Sequence, residues 1–351
     1  MDSTERNDPA FQTAVGSPSA DSAVGSPPQE PERKSALSRI FLNSTEFRAG
    51  WRLLIFLSVF IAATAILAFM GRGFIGISTH HFTPLTLAEG DGLTLVAALG
   101  AAGVMAALEH RSFSVYGLPW RSAFQAQFWF GAVWGWAALT LLLLLIRLYR
   151  GFDFGGPALH SWRAAFYFAT VWALAFLVVG FFEEFFFRGY ALYTLASGIG
   201  FWPAAVVLSL AFGAVHLHNP GEDWMGGLTA GLIGFFLCFT VRRTGNLWFA
   251  IGLHAVWDYF ETFVYSVPDS GFVPQGHLLD SSLHGPKWLT GGSVGPEASL
   301  FVFIVLVNLF VVFNLLYPKV RYPETVILPE PVASGGGFDA LRNKRQENSE
   351  A

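Results

Sequence analysis

The sequence predicts an all-α, polytopic membrane protein, a bundle of about eight transmembrane helices. Hydrophobic residues make up 53% of the 351 positions and charged residues only 13%, whereas about a quarter of a soluble globular chain is charged. Apolar segments of about 20 residues, the length that crosses the hydrocarbon core of a bilayer, recur along most of the chain. These two observations place the protein in a lipid bilayer.

The apolar segments divide the chain into a bundle and two polar tails. The bundle covers residues 37–322, and its motif-bearing core is 162–265. Residues 1–36 and 323–351 are expected to be disordered, because such polar segments cannot bury enough apolar surface to offset the entropy of ordering. The predicted spans are 51–70, 93–108, 128–146, 164–187, 202–217, 225–241, 247–265 and 300–317.

The distribution of Lys and Arg predicts the orientation of the bundle. Basic residues precede the first span, follow the eighth, and lie in the second-to-third and sixth-to-seventh connections. With eight spans these four groups fall on one side of the membrane. The positive-inside rule then places both termini in the cytoplasm, although Arg147, Arg150 and Arg163 lie on the opposite side in this count.

Charge argues against nucleic-acid binding, and the cysteine content excludes sites built from several cysteines. The net charge is -4 and no long basic tract occurs, so the concentrated basic face that binds nucleic acid is not expected. Cys238 is the single cysteine, which excludes an internal disulfide and a cysteine metal cluster. Its apolar neighbours in sequence predict a small core residue.

Three ionisable residues interrupt the fourth span, at Glu183, Glu184 and Arg188. An ionisable group at the centre of a membrane costs roughly 2.5–3.5 kcal/mol even on the lenient insertion scale, so it usually pairs, lines a wet cavity or takes part in chemistry. Glu184 and Arg188 are four residues apart and can pair along a helix. Glu183 is rotated by about 100° and can face another element.

Two further spans carry polar side chains that could meet Glu183. The fifth carries Phe212 and His216, and the seventh carries His254 and Asp258. The four-residue spacing places each pair on one helix face. At about 1.5 Å per residue, His254 and Glu183 lie at compatible depths, whereas His216 lies about 20 Å along its span. The fifth helix must therefore be tilted or begin deeper if His216 is to join them.

A glutamate, two histidines and an aspartate in a membrane cavity suit peptide-bond hydrolysis. This reaction needs a base for water, a donor for the oxyanion and an acid for the leaving amine. Glu183 would be the base, and His216 would help it to hold the water. His254 would stabilise the oxyanion, with Asp258 fixing its ring. The same four residues could instead bind a divalent metal such as zinc, as in a metalloprotease.

These motifs, in this order and each on its own span, resemble the signature of the CAAX protease and bacteriocin-processing family, the CPBP or Abi-type intramembrane endopeptidases. The resemblance covers the fourth to seventh spans, and residues 48–52 and 289–292 look like those of bacterial members. The motifs are Glu183-Glu184-x-x-x-Arg188, Phe212-x-x-x-His216 and His254-x-x-x-Asp258.

The resemblance implies an eight-helix endopeptidase that acts on a membrane-associated or lipidated protein or peptide. Glu183 would be its base, His216 the partner of that base, and His254 with position 258 the oxyanion-binding pair. The supporting residues would be Glu184, Arg188 and Phe212. The prenyl-processing branch usually has Asn at the last position, whose amide can donate, whereas ionised Asp258 can only accept. A farnesylated substrate is therefore not assumed.

Two alternatives of another class stay open. A transporter or proton relay would use the same intramembrane carboxylates and histidines, and a non-catalytic scaffold would use them to hold helices together.

Other intramembrane proteases fit less well. The sequence lacks the His-Glu-x-x-His motif of a zinc protease. Glu89-Gly90-Asp91 lacks the first glycine of an aspartyl protease motif and is expected in a loop.

Overall fold

The computed structural model describes residues 42–43, 46–71, 83–272 and 276–322. The chain divides into two units, residues 1–42 and 43–351, and every helix described below belongs to the second unit. The predicted tails, 1–36 and 323–351, lie outside the described residues.

The second unit is built from helices with short strands and turns between them. The helices are α1 Ala49–Gly71, α2 Pro84–Leu108, α3 Ala126–Leu148, α4 Trp162–Glu184, α5 Leu192–Ile199, α6 Phe201–His216, α7 Trp224–Thr244, α8 Trp248–Tyr259, α9 Lys287–Thr290 and α10 Phe301–Leu316. Two π-helical segments, Phe185–Ala191 and Phe260–Val264, follow α4 and α8. The strand β1 Leu42–Asn43 begins in the first unit and ends in the second, which also contains β2 Glu46–Phe47, β3 Phe152–Asp153 and β4 Ser282–Leu283.

The predicted all-α membrane bundle is confirmed, because each of the eight predicted spans coincides with a helix. Two apolar helices, α6 and α10, have only 16 residues each. α8 has 12 residues and is prolonged by its π-helical segment. Five segments are long and apolar enough to cross a bilayer, namely Ala49–Gly71, Pro84–Leu108, Ala126–Leu148, Trp162–Ile199 and Trp224–Thr244. The chain is therefore an integral membrane protein.

The second helix begins nine residues earlier than the sequence predicts. Thr83 caps α2, because its hydroxyl accepts from the Thr86 backbone N–H at 3.2 Å while the Thr86 hydroxyl accepts from the Thr83 backbone N–H at 3.1 Å. This reciprocal pair is a capping box, and Pro84 at the first helical position suits it. The prediction that Asp91 lies in a loop is therefore wrong, because Asp91 lies inside α2.

α4 continues through a π-helical segment into α5, so that together they form one apolar rod, Trp162–Ile199, of 38 residues. Within the π-helical segment, Gly189 has φ -84° and ψ -108°, which is outside the helical range. Such π-segments are frequent at functional sites. Here the rod kinks at Gly189, five residues after Glu184.

Arg52 joins three elements inside the bundle. Its side chain is buried, and its Nε and Nη2 donate to the Glu109 carboxylate at 3.0 and 2.6 Å. The Tyr190 hydroxyl donates to the same carboxylate at 2.6 Å. Because these residues come from α1, the end of α2 and the first π-helical segment, this part of the 48–52 motif has a structural role.

The long connection between α8 and α10 contains several short elements of secondary structure. β4 pairs antiparallel with β3, with Phe152 opposite Leu283 and Asp153 opposite Ser282. The connection also contains α9 and the 3₁₀ turn Pro296–Ala298. The pairing of β4 with β3 joins the connection to the segment between α3 and α4. Cys238, in α7, is free and buried, as predicted.

Glycines allow α3 and α8 to approach each other closely. A Cβ on Gly131 would lie 2.0 Å from the Phe249 carbonyl oxygen, and one on Gly135 would lie 2.2 Å from that of Leu253. On the opposite helix, a Cβ on Gly252 would lie 2.1 Å from the Phe128 carbonyl oxygen. Small residues four apart are typical of close helix pairs in membranes. This contact positions α8, which carries His254 and Asp258.

Gly135→Ala is expected to destabilise the protein by about 1–3 kcal/mol, because overpacking forces side chains and backbone to shift. Gly103→Ala in α2 is the matched control, since nothing lies within 4 Å of a Cβ at that position. Thermal unfolding of the purified variants in detergent compares the two. An unchanged Tm for Gly135→Ala would contradict the close contact between α3 and α8.

Candidate active site

Glu183 and Glu184 end α4 and face different surroundings. Glu184 is fully buried and accepts a hydrogen bond from Arg188 Nη1 at 3.1 Å. This is the pairing that the i,i+4 spacing predicts. The Glu183 side chain is 21% exposed and lines a cavity. Of these two neighbouring carboxylates, Glu184 is therefore buried in an ion pair, whereas Glu183 borders the cavity.

Arg188 is held on its other side by an aromatic ring. Its guanidinium carbon lies 4.2 Å from the centre of the Phe212 ring in α6, a cation–π contact. Gly234 in α7 leaves the space for this contact, because a Cβ there would lie 2.5 Å from Arg188 Nη2 and 3.1 Å from the Phe212 ring. Phe212 therefore packs on Arg188, and its supporting role in the site stays a prediction.

His254 in α8 lies among three carboxylates. Its Nδ1 lies 2.9 Å from Glu184 Oε1. Its Nε2 lies 3.4 Å from Asp258 Oδ2 and 3.7 Å from Glu183 Oε2. A carboxylate can only accept, so the Nδ1–H of His254 donates to Glu184. The ring is thereby oriented so that Nε2 faces Glu183 and Asp258.

The residue that orients the His254 ring differs from the sequence prediction. The prediction assigned this task to Asp258, one helical turn beyond His254. The shorter contact is made by Glu184, which reaches His254 from α4. Asp258 instead shares with Glu183 the side of the ring that carries Nε2. Spacing within one helix could not reveal a partner on another helix.

His216 ends α6 and borders the same cavity as Glu183 and His254. Its Nδ1 contacts the Phe212 carbonyl oxygen at 2.9 Å, so this nitrogen is the protonated one. The His216 and Phe212 rings lie 4.4 Å apart, and the Phe212 and His254 rings 6.4 Å apart. The difference in depth estimated from the sequence does not keep His216 out of the cavity. No hydrogen bond or ion pair joins it to Glu183 among the described residues.

The cavity has a volume of about 300 Å³ and a mixed lining. Leu87, Phe176 and Val179 contribute to its apolar wall. Its polar groups come from α2, α4, α6, α8 and the long connection. Acidic and histidine side chains in the lining are Asp91, Glu183, His216, His254, Asp258, Asp269 and Glu297. A pocket with convergent polar groups among apolar walls is the usual form of a binding site.

Asp91 is a site residue that the sequence analysis missed. It lies in α2, lines the cavity and is within electrostatic reach of Glu183 and His254. Charged residues inside membrane helices usually mark functional positions. The capping signal Thr83-Pro84-x-Thr86 could have extended the predicted helix back to include it. The hydropathy pattern alone placed this carboxylate outside the membrane.

The long connection brings further acidic groups to the cavity. Asp269 and Glu297 line it, and Glu222 lies in the segment between α6 and α7. Burial, reinforced by the charge of Glu297, raises the pKa of Asp269 to about 8 and that of Glu222 to about 7. The proximity of Glu297 to Asp269 and to Glu222 is not visible from the sequence, because these residues lie far apart along the chain.

The four residues considered as metal ligands do not form a compact metal-binding set. His254 Nε2 is 3.7 Å from Glu183 and 3.4 Å from Asp258, but His216 forms no hydrogen bond or ion pair with these three among the described residues. A zinc site needs three or four ligand atoms at about 2.0–2.3 Å from one ion. In the part of the chain that the structure describes, the group that brings three such atoms within 4.8 Å is Glu261, Asp269 and Glu297. No catalytic step is therefore assigned to a metal.

Residues 165–260 match the family model of type II CAAX prenyl endopeptidase Rce1-like proteins. The matched segment runs from α4 into the second π-helical segment and contains all seven motif residues, from Glu183 to Asp258. No curated protein matches the chain.

Arg188→Met is expected to destabilise the protein by about 3–5 kcal/mol, because it leaves the buried Glu184 carboxylate without its arginine. Arg147→Met is the matched control. Arg147 and Asp153 also form an ion pair, at 3.3 Å, but their side chains are 45% and 63% exposed, and exposed pairs contribute about 0–1 kcal/mol. Unfolding in detergent measures both variants. Equally small losses would contradict a structural role for the buried pair.

Proposed function

We propose that this chain, which belongs through residues 165–260 to the Rce1-like family of type II CAAX prenyl endopeptidases, hydrolyses a peptide bond with water that Glu183 activates. The family match makes it a CAAX-type intramembrane peptidase in general terms. The activation of water by Glu183, the substrate and the roles of single residues are our proposal. The bacterial type that the sequence indicates stays a prediction.

The unpaired oxygen of Glu183 is the observation that carries the proposal. Its Oε2 is buried and has no hydrogen-bond partner among the described residues. It lies 3.7 Å from His254 Nε2, beyond hydrogen-bond length. We propose that the attacking water contacts both groups. A carboxylate with free lone pairs can accept a proton from water, whereas Glu184 is already engaged by Arg188 and His254.

In the first step Glu183 takes a proton from water while the water oxygen bonds to the carbonyl carbon. The carbonyl π-electrons move onto the oxygen, which becomes an oxyanion. Because Glu184 accepts from Nδ1, a His254 imidazolium would present its other N–H, at Nε2, to that oxyanion. Asp258, 3.4 Å from Nε2, would balance the charge of the ring between turnovers.

In the second step the C–N bond breaks and the protonated Glu183 returns its proton to the leaving amine. The products are a new carboxyl terminus and a free amine. We assign to His216 the task of holding the attacking water or the leaving amine, because it lines the same cavity. No proton has to leave the site during this cycle.

The substrate is a membrane-associated or lipidated protein or peptide. The cavity is walled by membrane helices, and Leu87, Phe176 and Val179 offer apolar contacts to a lipid chain or an aliphatic side chain. Asp258 in place of Asn means that the proposal does not require a prenyl group. By the positive-inside rule, we further propose that both termini lie in the cytoplasm.

Glu183→Gln is expected to lower the rate of cleavage by roughly 10²–10⁴-fold, because the amide cannot act as a general base. Proteomics of membranes from cells that carry wild type or Glu183→Ala identifies substrates that accumulate uncleaved. The purified protein is then assayed on a peptide from such a substrate. Glu89→Gln, a change at an exposed carboxylate of α2, is the matched control and should cleave normally.

Three results would overturn this proposal. Full cleavage by Glu183→Gln would remove Glu183 as the base. Failure of Glu183→Gln to fold would indicate a scaffold role, whereas normal yield without cleavage supports catalysis. Solute uptake into vesicles that depends on Glu183, with no peptide cleaved, would indicate the transporter alternative.

A further inference from the structure

Three carboxylates gather where the end of α8 meets the long connection. Glu261 lies in the π-helical segment Phe260–Val264, Asp269 lies in the connection, and Glu297 lies in the 3₁₀ turn Pro296–Ala298. One oxygen of each lies within 4.8 Å of one oxygen of the others. In the described part of the chain, no Lys or Arg forms an ion pair with any of the three.

Glu261 adds an independent observation that points to a cation. It is 0% exposed, and its Oε1 has no hydrogen-bond partner among the described residues. Its Oε2 accepts from Trp257 Nε1 at 2.6 Å. A buried carboxylate oxygen is unfavourable unless it binds a proton, a donor or a cation. One oxygen of each of the other two acids lies within 4.8 Å of an oxygen of this side chain.

Neutral donors hold the other carboxylates in place. The Thr262 hydroxyl donates to Asp269 Oδ2 at 2.7 Å, and the Ser270 hydroxyl donates to Glu297 Oε2 at 2.7 Å. Trp257 Nε1 also lies 3.1 Å from Glu297 Oε1. Donors of this kind orient carboxylates that bind metal ions and leave their remaining lone pairs for the ion.

We propose that Glu261, Asp269 and Glu297 bind one hard divalent cation, Ca²⁺, Mg²⁺ or Mn²⁺. Carboxylate oxygens suit these ions, whereas zinc sites usually include nitrogen or sulfur ligands. Two buried carboxylates and a half-buried one repel one another, and a divalent cation between them replaces that repulsion with attraction. The site contains none of the residues that we assign to catalysis.

The cation would join α8 to the connection that borders the cavity. Asp269 and Glu297 line the cavity, and Glu261 follows directly on the helix that carries His254 and Asp258. A bound ion would thus hold the cavity wall in position without touching the reacting atoms. This role differs from that of the catalytic zinc considered from the sequence.

Mn²⁺ binding to the purified full-length protein tests the site. The protein is treated with a chelator, the chelator is removed, and free Mn²⁺ is followed by electron paramagnetic resonance during a titration. Wild type is expected to bind one Mn²⁺ per chain. Asp269→Asn and Glu261→Gln keep the size of each side chain and should weaken binding by at least about tenfold.

Two variants serve as controls. Glu222→Gln removes a carboxylate that interacts electrostatically with Glu297 but lies outside the group, and it should bind Mn²⁺ as wild type does. Glu183→Gln should also bind Mn²⁺ normally although it fails to cleave. The two proposals can therefore fail separately.

Several outcomes would overturn the cation site. Wild type that binds no Mn²⁺ would show that the carboxylates share protons instead. Binding that is lost in Glu183→Gln but kept in Asp269→Asn would place the ion in the active site. If Asp269→Asn and Glu261→Gln do not fold, the Tm of wild type is compared with and without Mn²⁺. A bound ion must raise the Tm, and an unchanged Tm contradicts the proposal.

Discussion

The buried contact between Glu184 and Arg188 is the interaction on which the rest of the site depends. Glu184 accepts from Arg188 on its own helical rod and from His254 on α8, while Arg188 packs on Phe212 of α6. One ion pair thus connects three of the elements that surround the cavity. A buried pair is stable only when further polar contacts satisfy both charges, and here His254 supplies one such contact.

This arrangement gives two adjacent glutamates different chemistry. Glu184 is neutralised by fixed partners and becomes part of the framework, whereas Glu183 lines the cavity and has one oxygen without a hydrogen-bond partner among the described residues. The two roles follow from a rotation of about 100° between consecutive helical residues. A π-helical segment and Gly189 then bend the rod just beyond them.

Much of this molecule follows from local sequence patterns, and the rest depends on contacts between distant segments. Hydropathy predicts the eight helices, and i,i+4 spacing predicts the pair of Glu184 and Arg188. Asp91 was missed because a capping box extends α2 beyond its most apolar part. The Gly131-x-x-x-Gly135 pattern would have predicted the close packing of α3, but not that α8 is its partner. Asp269 reaches the cavity through a connection whose path no periodic pattern describes.

The central claim is that Glu183 activates water rather than attacking the peptide bond itself. A single turnover in water enriched in ¹⁸O distinguishes the two, with mass spectrometry of the peptide products and of the enzyme fragment that contains Glu183. General-base catalysis predicts one ¹⁸O atom in the new carboxyl terminus of the product and none in the Glu183 carboxylate. Incorporation of ¹⁸O into the Glu183 carboxylate, with an unlabelled product, would show a covalent intermediate and contradict the account.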